Sequence, residues 1–193
     1  MNEMLARPAF EMAPRLLGCY LEREIDGKLV TVKIVETEAY DQTDAASHSY
    51  KGRTPRTDVM FGPAGHLYVY FTYGMHYCCN IVTGVEGEGS AVLIRAVEPL
   101  NNFELLESRR GKTGIQITNG PAKFCQALGI TRALNGHDMN QLPLRLVLQP
   151  PLSQKAIVQT TRVGISQAKD VPWRFYIADN AYVSKTAKNL VDN

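Results

Sequence analysis

The stretch LVTVKIVETEA, from Leu29 to Ala39, decides the fold because it is long, rich in β-branched residues and alternates apolar with polar side chains. Such a pattern predicts a β-strand with one buried face. An Asp26-Gly27 pair, typical of a tight hairpin turn, separates it from a shorter stretch, Cys19–Arg23. The two stretches therefore predict an antiparallel hairpin at the start of a sheet.

Short strands and helices follow this hairpin without regular βαβ alternation, and residues 41–60 form a long polar, turn-rich segment typical of a functional loop. The order predicts an α+β fold, with 1–193 as a single domain around a curved, mostly antiparallel, open-barrel-like sheet with flanking helices. The predicted helices are Ala9–Leu17, Pro99–Arg110 and Pro121–Leu128. The further predicted strands are Leu67–Asn80 (interrupted near Tyr73-Gly74), Ser90–Val97, Arg145–Leu148, Thr161–Ile165 and Arg174–Ile177.

The composition is that of an ordinary globular protein: 193 residues, 45% hydrophobic and 21% charged, with a net charge of +2. We expect no membrane span, because no apolar run approaches the roughly 18 residues that a spanning helix needs. We expect no signal peptide, and hence a cytoplasmic location. The four cysteines match no zinc spacing and predict reduced, buried thiols.

Two carboxylates extend the apolar row of the long strand. Val30, Val32 and Ile34 share one face by the period of two, and the same parity predicts that Glu36 and Glu38 lie on that face. A carboxylate there must be paired, hydrogen-bonded or at the opening of a site, where it can act as a general base. The alternative is a strand end at which both glutamates emerge into solvent.

Arg95 lies inside the apolar stretch AVLIRAV, residues 91–97, which predicts a buried strand. A buried guanidinium needs an anionic partner, because an unpaired buried charge is costly. Glu36, Glu38 or a bound phosphate satisfies that need. A purely structural ion pair remains the alternative.

Aromatic and basic segments favour a nucleic-acid partner without requiring one. Residues 68–77 read YVYFTYGMHY, which fits either a core strand or aromatic side chains that stack on bases. The loop ASHSYKGRTPRT, residues 46–57, fits phosphate contacts or a solvated loop. Lys123 follows Gly120-Pro121 near a helix start, where anions bind. His48 has no second histidine at ligand spacing, so no metal site is predicted.

The chain resembles the alkyladenine (3-methyladenine) DNA glycosylase family from about Leu16 to Ser184. The order and number of the shared motifs carry the resemblance. They are VETEAY at 35–40, ASHS at 46–49, TPR at 54–56, MF at 60–61, YVY at 68–70, YGM at 73–75, CCN at 78–80, LIRA at 93–96, GPAK at 120–123 and WRFY at 173–176.

The resemblance implies an enzyme of DNA repair that extrudes a damaged purine nucleotide and hydrolyses its N-glycosidic bond, without strand cleavage. Glu38 is then the general base that activates water, and Arg95 helps to hold that water and a phosphate. Asn80 excludes guanine by a clash with its exocyclic amine. Tyr73 fills the gap left in the duplex.

The resemblance also implies which residues contact the base and the DNA backbone. Tyr40 and His48 stack on one face of the extruded base, and Tyr70 stacks on the other. The remaining predicted DNA contacts are Arg53, Thr54, Met75, His76 and Lys123. Double-stranded DNA with damaged purines is the expected partner, the chain is expected to be a monomer, and neither a cofactor nor a metal is expected.

Two other functions stay open at the level of sequence. The first is a nucleic-acid-binding domain of the same fold that has lost its chemistry. The second is a different hydrolase, in which Glu36 and Glu38 hold a metal. The presence of Glu38, Arg95 and Asn80 argues against the first, and the lack of histidine pairs argues against the second.

Overall fold

The computed structural model describes residues 1–72 and 74–184. Within these residues, two helices precede the first strand and two lie between the fifth and sixth strands. The helices are α1 (Asn2–Leu5), α2 (Ala9–Arg15), α3 (Phe103–Arg110) and α4 (Pro121–Leu128). The strands are β1 (Tyr20–Ile25), β2 (Lys28–Asp41), β3 (Leu67–Thr72), β4 (His76–Val82), β5 (Ser90–Pro99), β6 (Leu144–Val147), β7 (Ile157–Thr160) and β8 (Arg174–Ile177).

The described strands form one curved antiparallel sheet in the order β3-β4-β5-β2-β1-β6, with β8 joining β2 and β7 joining β8. The predicted α+β class is therefore confirmed. The long strand β2 is the centre of the sheet: β5 pairs along one edge, while β1 and then β8 pair along the other. The predicted hairpin through Asp26-Gly27 is also confirmed, with Ile25 opposite Lys28.

One hydrophobic core lies between the sheet and helices α2 and α4. Met12 of α2 and Phe124 of α4 are fully buried in it, and each such large apolar side chain contributes about 1.5–3 kcal/mol by leaving water. The four cysteines are buried and unpaired, as predicted. Within the described residues, no helix is long and apolar enough to cross a membrane.

Two predicted elements were wrong in detail. Residues 161–165 are irregular rather than a strand, and the strand that pairs with β8 precedes them, at Ile157–Thr160. Their backbone instead turns towards the sheet, where the Val163 amide bonds a carboxylate of β2. Helix α3 begins at Phe103 and not at Pro99, because β5 continues to Pro99 and Asn102 adopts a left-handed conformation.

The prediction that Glu36 and Glu38 share a face with Ile34 was also wrong. Pairing of β2 with β5 shifts register on either side of Glu36: Ile34 faces Val97, and Thr37 faces Ile94. Such irregularities turn the following side chains over. Thr37, not Glu36, therefore continues the core face, and its hydroxyl donates to the Ala13 carbonyl of α2 at 2.9 Å.

Candidate active site

A pocket of about 450 Å³ opens on the face of the sheet that carries Glu36 and Glu38. Its walls are formed by strands β2 to β5, the loop before residue 60, the start of helix α4 and the irregular segment 163–167. Among the predicted site residues, five line it: Tyr40, His48, Tyr70, Asn80 and Arg95. Pro121, two residues before the predicted Lys123, also lines it.

Glu38 lies directly behind the pocket wall, and its side chain is fully buried. One carboxylate oxygen accepts a hydrogen bond from the Val163 amide at 2.8 Å. The other accepts from the Tyr40 hydroxyl at 2.8 Å and lies 3.3 Å from Arg95 Nη1. Tyr40 and Arg95 line the pocket, so both separate the carboxylate from it. Sequence reasoning gave no sign of the Val163 contact, since 125 residues separate the two.

Arg95 joins both glutamates of β2. Its Nε lies 3.1 Å from Glu36 Oε1, and its Nη1 reaches Glu38. Burial lowers the pKa of Arg95, but the charges of Glu38 and Glu36 outweigh burial and raise it. Arg95 is therefore a permanent cation at the pocket wall, and its predicted need for an anionic partner is met by Glu36 and Glu38.

Tyr40 is held as a hydrogen-bond donor to Glu38. Burial, the charge of Glu38 and the hydrogen bond to it all raise the pKa of Tyr40, so its hydroxyl keeps its proton. The guanidinium of Arg162 lies over the face of the Tyr40 ring, 4.8 Å from the ring centroid. Position and protonation of Tyr40 are thus both fixed by its neighbours.

Three aromatic rings form a cluster at the pocket. His48 contacts Tyr70 edge-on, with ring centroids 4.6 Å apart and planes at 84°. His48 Nδ1 lies 3.1 Å from the Tyr68 hydroxyl. Burial of the imidazole and then the charge of Arg56 lower the pKa of His48 to about 4, although the residue as a whole is solvent-exposed. His48 is therefore neutral near pH 7.

The same geometry differs from the predicted stacking arrangement. A base held between two rings needs about 7 Å between them, twice the contact distance of carbon atoms. His48 and Tyr70 are closer than that and touch each other. The structure therefore brings these two residues together, but a base fits between them only after one of the two rings has moved.

Asn80 is almost fully buried at the pocket, opposite Tyr68 in the β3–β4 pairing. Its side-chain amide donates to the Tyr68 carbonyl at 3.3 Å. This bond fixes the amide group, because the carbonyl belongs to the backbone of a paired strand. A rigid polar group therefore borders the space in which a base would lie.

None of the predicted DNA-backbone contacts that the structure describes lines the pocket. Tyr73 falls outside the described residues. Met75 and His76 are exposed at the β3–β4 connection, with Met75 68% accessible. Arg53 is exposed and pairs with Asp58 at 2.6 Å. The other two make local bonds: Thr54 with Thr57, and Lys123 Nζ with Asn119 at 2.7 Å.

Sequence reasoning missed a buried ion pair beside the pocket. Arg162 donates to both carboxylate oxygens of Asp44 and to the Ala39 carbonyl, and its guanidinium also lies over Trp173 at 5.4 Å. The pair ties the loop that carries His48 to the segment that carries Val163. A lone arginine and a lone aspartate in distant loops have no local sequence signature. Their pairing becomes visible only in the folded structure, because 118 residues separate them in the chain.

Glu36 is not placed to hold a metal with Glu38. Its carboxylate accepts hydrogen bonds from two arginines and from Ser184, which occupy both oxygens. In the portion of the chain that the structure describes, no three His, Cys, Asp or Glu side chains are grouped as metal ligands. The donor set around Glu36 therefore does not fit the metal-hydrolase alternative.

Comparison with known proteins shows the family to which the chain is related. The family model for methylpurine-DNA glycosylase matches residues 3–181. A protein of Carboxydothermus hydrogenoformans is 50% identical over 186 residues, covering 95% of this chain and 97% of its own length. One from Methanoculleus marisnigri is 49% identical (93% and 95%), and one from Francisella tularensis is 46% identical (96% and 98%).

These three relatives carry the name "putative 3-methyladenine DNA glycosylase". The chain belongs to the methylpurine-DNA glycosylase family, since the family model and relatives of this identity cover almost its whole length. The resemblance seen in the sequence motifs is therefore confirmed.

Proposed function

We propose that this protein is a DNA glycosylase that extrudes damaged purine nucleotides from duplex DNA and hydrolyses the N-glycosidic bond, leaving an abasic site. One observation carries the proposal: a buried carboxylate, Glu38, contacts Arg95 at the wall of an aromatic-lined pocket. Membership in the methylpurine-DNA glycosylase family and the names of the three relatives support the same reaction.

The pocket has the chemistry that an electron-poor purine requires. Tyr40 and Tyr70 present aromatic faces, which attract cationic alkylated bases as well as neutral ones by stacking. A neutral His48 adds no charge that would repel such a base. The fixed amide of Asn80 clashes with the exocyclic amine of guanine and so disfavours undamaged guanine.

Glu38 is the proposed general base. A carboxylate offers roughly four lone-pair sites, and the Val163 amide, the Tyr40 hydroxyl and Arg95 use three of them. A water on the remaining site gives its proton to Glu38 while its oxygen bonds to C1′ of the sugar. The electron pair of the C1′–N bond leaves with the base, and the carboxylate stabilises the positive charge that develops on the sugar.

The proposed reaction stops at the abasic site. Strand cleavage by a glycosylase needs an amine that forms a Schiff base with the sugar. Among the described pocket-lining residues, none is a lysine. The residues proposed to contact the DNA strand around the pocket are those predicted from the sequence: Arg53, Thr54, Tyr73, Met75, His76 and Lys123.

Base release from duplex oligonucleotides with hypoxanthine or ethenoadenine, read as strand breaks after hot alkali, tests the proposal. We expect abasic sites from the wild type, and a loss of at least about a hundredfold in Glu38→Gln with lesion DNA still bound. The matched control is Glu22→Gln, which removes a carboxylate of β1 that pairs with Arg145 of β6, and this variant should keep its activity. Undiminished release by Glu38→Gln would reject Glu38 as the base.

A second function, lesion binding without chemistry, is favoured by the complete burial of Glu38 in this structure. Water reaches the carboxylate only if Tyr40, Arg95 or segment 163–167 shifts when DNA binds. Bound lesion DNA with no base released by the wild type, from hypoxanthine, ethenoadenine and methylated substrates alike, would establish the binding function in place of the glycosylase.

A further inference from the structure

Glu36 is the most thoroughly bonded carboxylate near the pocket, yet the proposed reaction gives it no role. It is fully buried, and four donors surround it. Arg174 Nε lies 2.7 Å from Oε1 and Arg95 Nε lies 3.1 Å from the same oxygen. The Ser184 hydroxyl donates to Oε1 at 2.8 Å, and the Ser184 amide donates to Oε2 at 2.7 Å.

Arg95 connects this carboxylate to Glu38. Its Nε donates to Glu36 Oε1 at 3.1 Å and its Nη1 lies 3.3 Å from Glu38 Oε2, so contacts with both carboxylates fix the orientation of the guanidinium group. The register shifts in the pairing of β2 with β5 lie on either side of Glu36. They put Glu36 and Glu38 on the same face of the sheet as the Arg95 side chain. A long side chain with several rotamers is thereby held in one orientation.

The charges of the cluster balance. Two carboxylates, Glu36 and Glu38, face two guanidiniums, Arg95 and Arg174, all of them buried. If Glu36 were neutral, Arg95 and Arg174 would share one remaining anion. Glu38 would then be the sole counter-ion of Arg95, and its ionised form would be favoured more strongly.

We propose that Glu36 is a positioning residue: together with Arg174 and Ser184 it orients Arg95 against Glu38 and balances the Arg95 charge, so that Glu38 remains basic enough to take a proton from water. This inference rests on the proposed function, in which Glu38 is the general base. It extends the site to residues 174–184, because Arg174 opens β8 opposite Glu38 and Ser184 follows that strand.

The experiment compares Glu36→Gln with the wild type in single-turnover base release from ethenoadenine duplexes over a range of pH, with the dissociation constant for the same DNA measured in parallel. We expect the rate constant to fall about a hundredfold, the loss typical of a misplaced reacting group, while the dissociation constant stays within a factor of about two. The acid limb of the pH–rate profile should move to lower pH.

The pH readout separates positioning from a merely structural role. A variant that is only less stable loses active protein but keeps the position of the acid limb. The groups that face Glu38 and would also affect that limb are Arg95 and Tyr40 in contact, and Arg162 and Tyr70 further away. All four are unchanged in Glu36→Gln. Glu36→Asp, which keeps the charge, should restore the acid limb to its wild-type position.

Two further variants make every outcome decisive. If Glu36→Gln does not fold, Ser184→Ala decides: a lower rate constant with unchanged DNA affinity supports the role, and a wild-type rate constant overturns it.

If Glu38→Gln abolishes release while Glu36→Gln keeps the wild-type rate and pH profile, the positioning role alone fails. If Glu38→Gln retains release, the proposed function fails whatever Glu36 does. Glu22→Gln remains the matched control.

Discussion

At the scale of single residues, His48 shows how the pocket sets protonation. An ordinary histidine is half charged near pH 6.5, but burial and the nearby Arg56 lower the pKa of His48 to about 4. A charged imidazole would repel a cationic alkylated base that stacks beside it. The arrangement keeps the pocket free of that repulsion throughout the neutral range.

The lowered pKa of His48 makes the stability of the protein depend on pH. As the pH falls from 6.5 towards 4, the unfolded chain takes up a proton on His48 before the folded protein does. We therefore expect the free energy of unfolding of the wild type to decrease over this window more steeply than that of His48→Asn, in urea unfolding followed at several pH values. Parallel curves for the two proteins would contradict the lowered pKa.

At the scale of structural elements, the site depends on three segments that meet only in the folded protein. Strand β2 carries Glu38, and the loop before residue 60 carries His48. The irregular chain that follows β7 carries Arg162 and Val163. The Arg162–Asp44 pair ties the last two segments together, and both side chains are almost completely buried. Loops fixed in this manner hold a pocket open without regular secondary structure.

Breaking this buried pair should be costly. Asp44→Asn leaves the Arg162 cation buried without its counter-ion, which lowers the free energy of unfolding by about 3–5 kcal/mol. Asp58→Asn is the matched control, because it removes an aspartate from an exposed pair with Arg53 and should cost at most about 1 kcal/mol. Chemical denaturation measures both. Equal losses in the two variants would show that the Arg162–Asp44 pair contributes no more than a surface pair.

At the scale of the whole molecule, DNA binding has to arise from local clusters of charge, since the net charge is only +2. Lys123 in the first turn of α4 is one such cation, close to Pro121 at the pocket. Burial and then the charge of Arg110 lower the pKa of Lys123, and an approaching phosphate would favour its charged form.

Replacing this cation should weaken DNA binding without regard to sequence or lesion. For Lys123→Gln we expect lower affinity for lesion and undamaged duplexes alike, and a plot of log K against log salt concentration whose slope is smaller by about one. Lys28→Gln, at the exposed β1–β2 turn, is the matched control. An unchanged slope in Lys123→Gln would remove Lys123 from the DNA-binding surface.

The sequence by itself determined the type and order of most elements and the family of the chain. Alternating β-branched residues specified β2, the Asp26-Gly27 turn specified its hairpin, and the shared motifs specified the family. These signals are local, because backbone propensity and side-chain periodicity act over a few neighbouring residues. The roles of the individual site residues and the extent 1–193 as one domain remain predictions.

Only the tertiary structure decided which way the glutamates face and what holds them. Register shifts between β2 and β5 reverse the face predicted for Glu36 and Glu38. Two of the partners of Glu36, Arg174 and Ser184, are more than 130 residues away from it in sequence. Contacts over such separations leave no periodic trace in the chain, because they exist only once sheet pairing has brought distant backbone segments together.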